Sequence, residues 1–293
     1  MTIFTEQSNQ NTQDIDIKDG FQIATLMNNE DQKVALAVQN ELPKIGQAID
    51  LISNAFLNGG RLAYFGAGTS GRLGVLDASE CVPTFSVPEN MVQGYIAGGS
   101  RALQYSVEKA EDSAELALDD MKAFAPQKND VVVGVSASGN PKYVLTALKE
   151  ARKKGAHTIG VCCNPDGNLK NISDIFVCVV VGPEVITGSS RLKAGTAQKM
   201  VLNMLSTGAM IKIGKTYRNY MIDVQLSNQK LFERGCRFVS EICGIDEQEA
   251  RDILLGANGS VKKACVMQLK NCTPEEADEM LKNVGGVLRK IIG

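Results

Sequence analysis

Arg61-Leu-Ala-Tyr-Phe-Gly-Ala-Gly-Thr-Ser-Gly-Arg72, running on through Gly74-Val-Leu-Asp-Ala-Ser-Glu-Cys81, is the stretch on which the reading of the fold turns. An apolar strand leads into a turn of glycines and hydroxyls, then a helix, then a carboxylate. Glycines let the backbone bend sharply and aim several N–H groups at one point, and Thr69 and Ser70 add hydroxyls at the positive end of the helix dipole. With Gly68 and Gly71 they make a cradle for a phosphate. A dinucleotide fingerprint can be laid over Gly66, Gly68 and Gly71, but it also requires an acid about 20 residues on, closing a second strand. Only Glu89, directly after Pro88, stands there, which disfavours a dinucleotide.

Leu62 to Phe65, Val131 to Val135, Thr158 to Cys162 and Ile175 to Val181 are short β-rich runs, each followed by a helical pattern. They are apolar throughout rather than alternating, as in strands covered on both faces. The expected architecture is α/β, a doubly wound, mostly parallel sheet. A helical arm over residues 1–50 precedes this α/β domain over residues 51–230. A small helical unit over residues 235–293 follows, with capped starts at Asp246 and at Thr273-Pro274.

A second hydroxyl-rich turn, Ser136-Ala-Ser138-Gly139-Asn140-Pro141, follows the Val131 run. Two such turns at the carboxyl ends of parallel strands converge on one crevice, which favours a phosphosugar as the ligand. A third polar segment, Thr187-Gly-Ser189-Ser190-Arg191-Leu-Lys193-Ala-Gly195-Thr196, precedes a long apolar helix whose start is a further place for an anion.

Residues 101–124 look like one acidic helix. At about 100° per residue, Glu108, Asp112, Glu115 and Asp119 form a solvated stripe opposite Leu103, Val107, Ala110, Ala114 and Leu118. Glu111 falls off the stripe at the apolar border, where burial raises a carboxyl's pKa toward that of a useful acid or base. Glu80, at the end of the helix that starts at the first turn, lies near the negative pole of its dipole.

The remaining composition mainly excludes. Of the 293 residues, 31 are Lys or Arg and 33 Asp or Glu, a net charge of −2 with no basic stretch interleaved with aromatics, so nucleic acid is not expected as a partner. No apolar run reaches membrane-spanning length, and Met1 to Gly20 lacks a hydrophobic signal core, so neither a membrane nor export is expected and the location is read as cytoplasmic. The eight cysteines are scattered through apolar segments and are read as reduced core thiols. His157 is the sole histidine, inside a strand-like run, and no zinc-ligand spacing occurs.

At these residues the chain resembles the N-acetylmuramic acid 6-phosphate etherases, members of the sugar isomerase (SIS) group that includes the glucokinase regulatory proteins. The resemblance runs from Thr5-Glu-Gln-Ser-Asn9 through the Gly66–Gly74 turn, Asp77-Ala-Ser-Glu-Cys81, Ala110-Glu-Asp-Ser113 and Thr187–Lys199 to the C-terminus, which it makes UBA-like. It implies one SIS domain per chain, a homodimer, and neither metal nor organic cofactor. It also implies catalytic glutamates at Glu80 and Glu111, with a phosphorylated amino sugar bound by Gly68, Thr69, Ser70, Gly71, Ser136, Ser138, Gly139, Asn140, Ser189, Ser190 and Lys193. The implied reaction cleaves the C3 lactyl ether of a 6-phosphorylated muramic sugar, releasing D-lactate, within cell-wall amino sugar recycling. The same fold also serves non-catalytic sugar-phosphate regulators and aldose–ketose isomerases. One departure is visible: Asn140-Pro141 replaces the Arg-Thr usual in the second turn, removing a hydroxyl donor.

Overall fold

In the computed structural model, which describes residues 6–226 and 228–293, five strands pair in parallel. They are β1 (Leu62–Gly66), β2 (Val92–Ile96), β3 (Val131–Val135), β4 (His157–Cys162) and β5 (Ile175–Cys178), in the order β2-β1-β3-β4-β5. Every residue of β1 and β3 is buried, as expected for strands with helices on both faces. Thr5, where the N-terminal motif begins, lies outside the described residues.

β2 is a strand that the sequence reading did not anticipate. Val92-Gln-Gly-Tyr-Ile96 is interrupted by Gln93 and Gly94, and as an edge strand only its two ends are buried. Gly94 is required by close approach: a Cβ there would lie 2.6 Å from Val75 Cα. Tyr95 stacks on Phe65 at 4.7 Å between ring centroids and joins a core that includes Phe124, Val132, Tyr143 and Leu148.

Among the described residues seven α-helices accompany the sheet: α1 (Gly20–Gln39), α2 (Leu42–Leu57), α3 (Gly68–Phe85), α4 (Arg101–Gln104), α5 (Ala114–Phe124), α6 (Lys142–Lys153) and α7 (Lys193–Lys212). Asp19 and Gln22 form a reciprocal capping box at α1. α2 starts with Pro43 in its first turn and buries Ile45, Ala48, Ile52 and Phe56 where it packs on β3 and β5. Arg61 and Asp130, at the amino ends of β1 and β3, form a 2.6 Å ion pair.

The single acidic helix expected over residues 101–124 is not formed. α4 is one short turn, Lys109 is left-handed at φ 62, residues Ala110–Asp112 form a 3₁₀ turn, and α5 begins only after Ser113. Ser113 Oγ accepts from Leu116 N–H at 3.2 Å, so the serine caps a new helix instead of continuing an old one.

By contacts the chain divides into two compact units. The first comprises Glu89–Gly208 with the chain up to Ser79, and the second Glu80–Pro88 with Ala209–Gly293. The second carries a hairpin of β6 (Thr216–Tyr217) and β7 (Tyr220–Met221), then α8 (Gln229–Cys243), α9 (Glu247–Gly256), α10 (Val261–Lys270), α11 (Pro274–Asn283) and α12 (Arg289–Ile292). The caps at Asp246 and Thr273 form as expected, the latter as a capping box with Glu276. The unit has its own core around Val239, Leu254, Ala264 and Val266. Two helices, α8 and α12, add to the three expected.

The β1–α3 turn is sterically closed. A Cβ on Gly66 would meet Gly71 N at 2.6 Å, and one on Gly71 would meet Ile96 Cγ1 at 2.6 Å and the Gly66 carbonyl at 2.7 Å. Gly71→Ala is therefore expected to cost about 1–3 kcal/mol, as overpacking does. The denaturant midpoint should fall with an unchanged slope, and an unchanged midpoint would show that the turn can open.

Candidate active site

Sheet order places the crevice. From β1 the chain goes one way to β2 and then back across to β3, and doubly wound folds receive ligands beyond the carboxyl ends of the strands at such a reversal. Gly66 pairs with Val135, the last residues of their strands, so the two hydroxyl-rich turns leave the sheet side by side.

In the first turn Gly68 takes φ +54 and opens α3. Ser70 is buried and its hydroxyl donates to Gln198 Oε1 on α7 at 2.8 Å. Thr69 packs its methyl against Gly195, 3.4 Å from where a Cβ would stand. The first turn and the start of α7 are thus in direct contact.

In the second turn Ser136 Oγ accepts from Gly139 N–H at 3.0 Å, and Ser138 Oγ from Asn140 N–H at 3.3 Å. Both hydroxyls act as acceptors inside the turn, which leaves their protons for an outside acceptor. Gly139 has φ +74, and a Cβ there would lie 2.9 Å from Gly167 Cα, so no other residue fits. Asn140 Oδ1 accepts from Asn168 N–H and Nδ2, at 3.1 and 3.0 Å, so its NH₂ is the end left over. Behind Pro141, α6 starts with no side-chain cap, and its first N–H groups keep their pull on an anion.

The third segment is built differently from the expectation. The anion at the start of α7 is the chain's own: Glu184, buried, accepts from Lys193 N–H at 3.0 Å and Ala194 N–H at 2.9 Å. Burial pushes the Glu184 carboxyl up, against the pull of those two N–H groups. Lys193, expected to face the substrate, is 1% exposed, and its ammonium lies 2.6 Å from Glu30 Oε2 on α1. Its charge is already paired. Ser189 and Ser190 are half-buried in the turn before α7, whereas Arg191 is exposed.

The two glutamates are placed by different elements. Glu111 sits in the 3₁₀ turn and is exposed, so the burial expected from helical periodicity is absent. It nevertheless lines, with Gly68, Arg72 and Lys109, a cavity of about 260 Å³ beside the first turn. Arg72 fixes the approach to it by donating from Nε to the Leu103 carbonyl at 3.0 Å and from NH2 to that of Tyr105 at 3.3 Å. Glu80 is exposed on α3, which does not end there but continues through Pro83 to Phe85. It opens the second compact unit.

Known proteins align with this architecture. The profile described as the glucokinase regulatory protein N-terminal SIS domain matches residues 44–152, the SIS domain profile residues 103–208, and that of the C-terminal lid domain of glucokinase regulatory protein residues 218–263. The N-acetylmuramic acid 6-phosphate etherase of Rhodopirellula baltica is 49% identical over 98% of this chain and 95% of its own length. That of Pasteurella multocida is 48% identical over 99% and 96%. This chain belongs to the N-acetylmuramic acid 6-phosphate etherase family. Among solved structures, a phosphoheptose isomerase from Francisella tularensis aligns with a TM-score of 0.51 at 17% identity, over 65% of this chain and 97% of its own. A putative sugar-phosphate isomerase from Listeria monocytogenes aligns with 0.50 at 18%, over 68% and 94%. These two bear on the fold alone.

Arg72, Glu184, Glu30 and Gln198 were not singled out by sequence reasoning. Arg72 and Gln198 stand inside the family motifs, but nothing in their spacing shows what they touch.

Proposed function

We propose that the chain cleaves the C3 D-lactyl ether of N-acetylmuramic acid 6-phosphate, giving N-acetylglucosamine 6-phosphate and D-lactate. The observation that carries this reading on the structure is the shared cavity of Glu111 and the first phosphate turn, in a chain 48–49% identical to etherases over nearly its whole length. In the open-chain sugar the C2 proton is α to the C1 aldehyde. Glu111 takes that proton, and the C3 lactyl oxygen departs with a proton from Glu80, leaving a conjugated aldehyde. Water adds at C3 and a proton returns to C2. Each proton transfer is worth typically 10²- to 10⁴-fold in rate.

The 6-phosphate rests on Ser70, Ser136 and Ser138 and on the N–H groups of Gly68, Thr69, Gly71, Gly139 and Asn140. Its binding orients the reacting end of the sugar. Ser189 and Ser190 serve the same site, while Lys193 is withdrawn from any direct part because its ammonium holds Glu30. The proposal includes a homodimer and a cytoplasmic location. No helix among the described residues is long and apolar enough to cross a membrane.

Elimination followed by addition has an isotopic signature. Turnover in deuterated water should place deuterium at C2 of the product, and ¹⁸O-water should deliver its oxygen to C3 while the lactate stays unlabelled. Label in lactate would mean direct hydrolysis of the ether. A ketose product would mean an isomerase, and no turnover of the phosphorylated sugar a binding protein.

A further inference from the structure

Gln198 is 1% exposed and only one end of its carboxamide is used. Oε1 accepts the Ser70 hydroxyl at 2.8 Å, whereas Nε2 is buried with no acceptor among the described residues. A buried NH₂ without a partner is costly, roughly 1–3 kcal/mol, and such groups are rare in folded proteins. The arrangement also has a consequence for the first turn. While Ser70 gives its proton to Gln198, it offers a phosphate only lone pairs, which a phosphate anion repels.

Turning the carboxamide by 180° reverses both defects. Nε2 then donates to Ser70 Oγ, the Ser70 proton is released toward the crevice, and the unpaired end becomes a carbonyl, which proteins tolerate better than an unpaired N–H. We propose that Gln198 is a positioning residue for the phosphate turn: its carboxamide turns over when a phosphate monoester arrives, converting Ser70 from a donor to the protein into a donor to the ligand. No bond is made or broken in this step except hydrogen bonds. Neighbouring geometry fits the role. α7 also presses Gly195 against Thr69, so Gln198 reaches the turn from a helix already in contact with it. α7 is held at its start by Glu184 and by the Lys193–Glu30 pair, which gives the carboxamide a fixed base.

This inference rests on the functional reading for the identity of the ligand, so its test reads binding as well as turnover. Gln198→Met keeps the length and apolar bulk of the side chain but removes both hydrogen-bonding ends. Binding of N-acetylglucosamine 6-phosphate by calorimetry should weaken about tenfold, the loss of the one hydrogen bond from Nε2 that holds the Ser70 oxygen and aims its proton at the ligand. For N-acetylmuramic acid 6-phosphate, KM should rise by a similar factor with kcat within about twofold, because the phosphate is remote from the reacting carbons. Thermal stability should stay level or rise, since the variant discards a buried unpaired donor. Gln198→Glu, whose carboxylate can only accept, should weaken binding at least as much by locking the Ser70 proton away from the ligand.

A merely structural glutamine predicts the opposite pairing, a lower melting temperature with unchanged affinity, and that result overturns the proposal. Equal affinities for wild type and both variants overturn it as well. So does an equal loss for unphosphorylated N-acetylglucosamine, which would place Gln198 somewhere other than the phosphate. If wild type binds the sugar phosphate but releases no lactate, the functional reading fails while the binding arm still decides the role of Gln198.

Discussion

Glu80→Gln and Glu111→Gln should each lower kcat for lactate release by about 10²- to 10⁴-fold, the contribution of one positioned proton-transfer group, and should do so without unfolding the protein. Both carboxylates are exposed and neither side chain makes a hydrogen bond or ion pair among the described residues. Substitutions at such positions usually change stability by less than about 0.5 kcal/mol, a degree or two in Tm. The two variants should also fail differently. With Glu111 as the base, Glu111→Gln loses deuterium exchange at C2 of recovered substrate. Glu80→Gln should keep that exchange while the lactyl oxygen, without its proton donor, no longer leaves. The reverse pattern would swap the roles, and a variant turning over at the wild-type rate would remove its glutamate from the mechanism.

How far the sequence carried this reading depends on how local each signal is. β1 and β3 were legible because Leu62–Gly66 and Val131–Val135 lie in the sheet interior and announce it residue by residue. β2 was not, because an edge strand tolerates Gln93 and Gly94 in the middle of its pattern. Residues 101–124 were misread for a related reason. The acids keep a helical spacing across Lys109 and Ser113, yet a left-handed residue and an N-cap divide the segment. Periodicity counts side chains and is blind to the backbone break between them. The two hydroxyl-rich turns could be located after β1 and β3 because their glycine and hydroxyl signals lie within a few consecutive residues. Lys193 could not, since its partner Glu30 lies 163 positions earlier in the chain.

That pair should dominate any stability measurement on the N-terminal segment. Glu30 is 4% exposed and receives Lys193 Nζ at 2.6 Å, Lys33 Nζ at 2.5 Å and Asn11 Nδ2 at 3.1 Å. Burial drives its carboxyl up, but the two ammonium groups and the amides of Asn11 and Asn9 outweigh burial and hold it down at about 2. A carboxyl whose folded pKa is depressed adds stability in full above its ordinary value of 4.5, and that stability fades as the pH falls from there toward 2. Lys193→Met removes the buried cation and leaves its carboxylate facing an apolar chain, which for buried pairs costs about 3–5 kcal/mol. Lys33 softens the loss, but its side chain is 52% exposed and solvent weakens its hold. Followed by circular dichroism, the variant should therefore melt well below wild type at pH 7 and begin its acid unfolding at a higher pH. Adding Glu30→Gln to Lys193→Met should recover part of the loss, because the uncompensated charge is gone while Asn11 can still donate to the amide oxygen. If the double variant is instead no more stable than Lys193→Met alone, the damage comes from the lost packing of the lysine side chain and not from its charge.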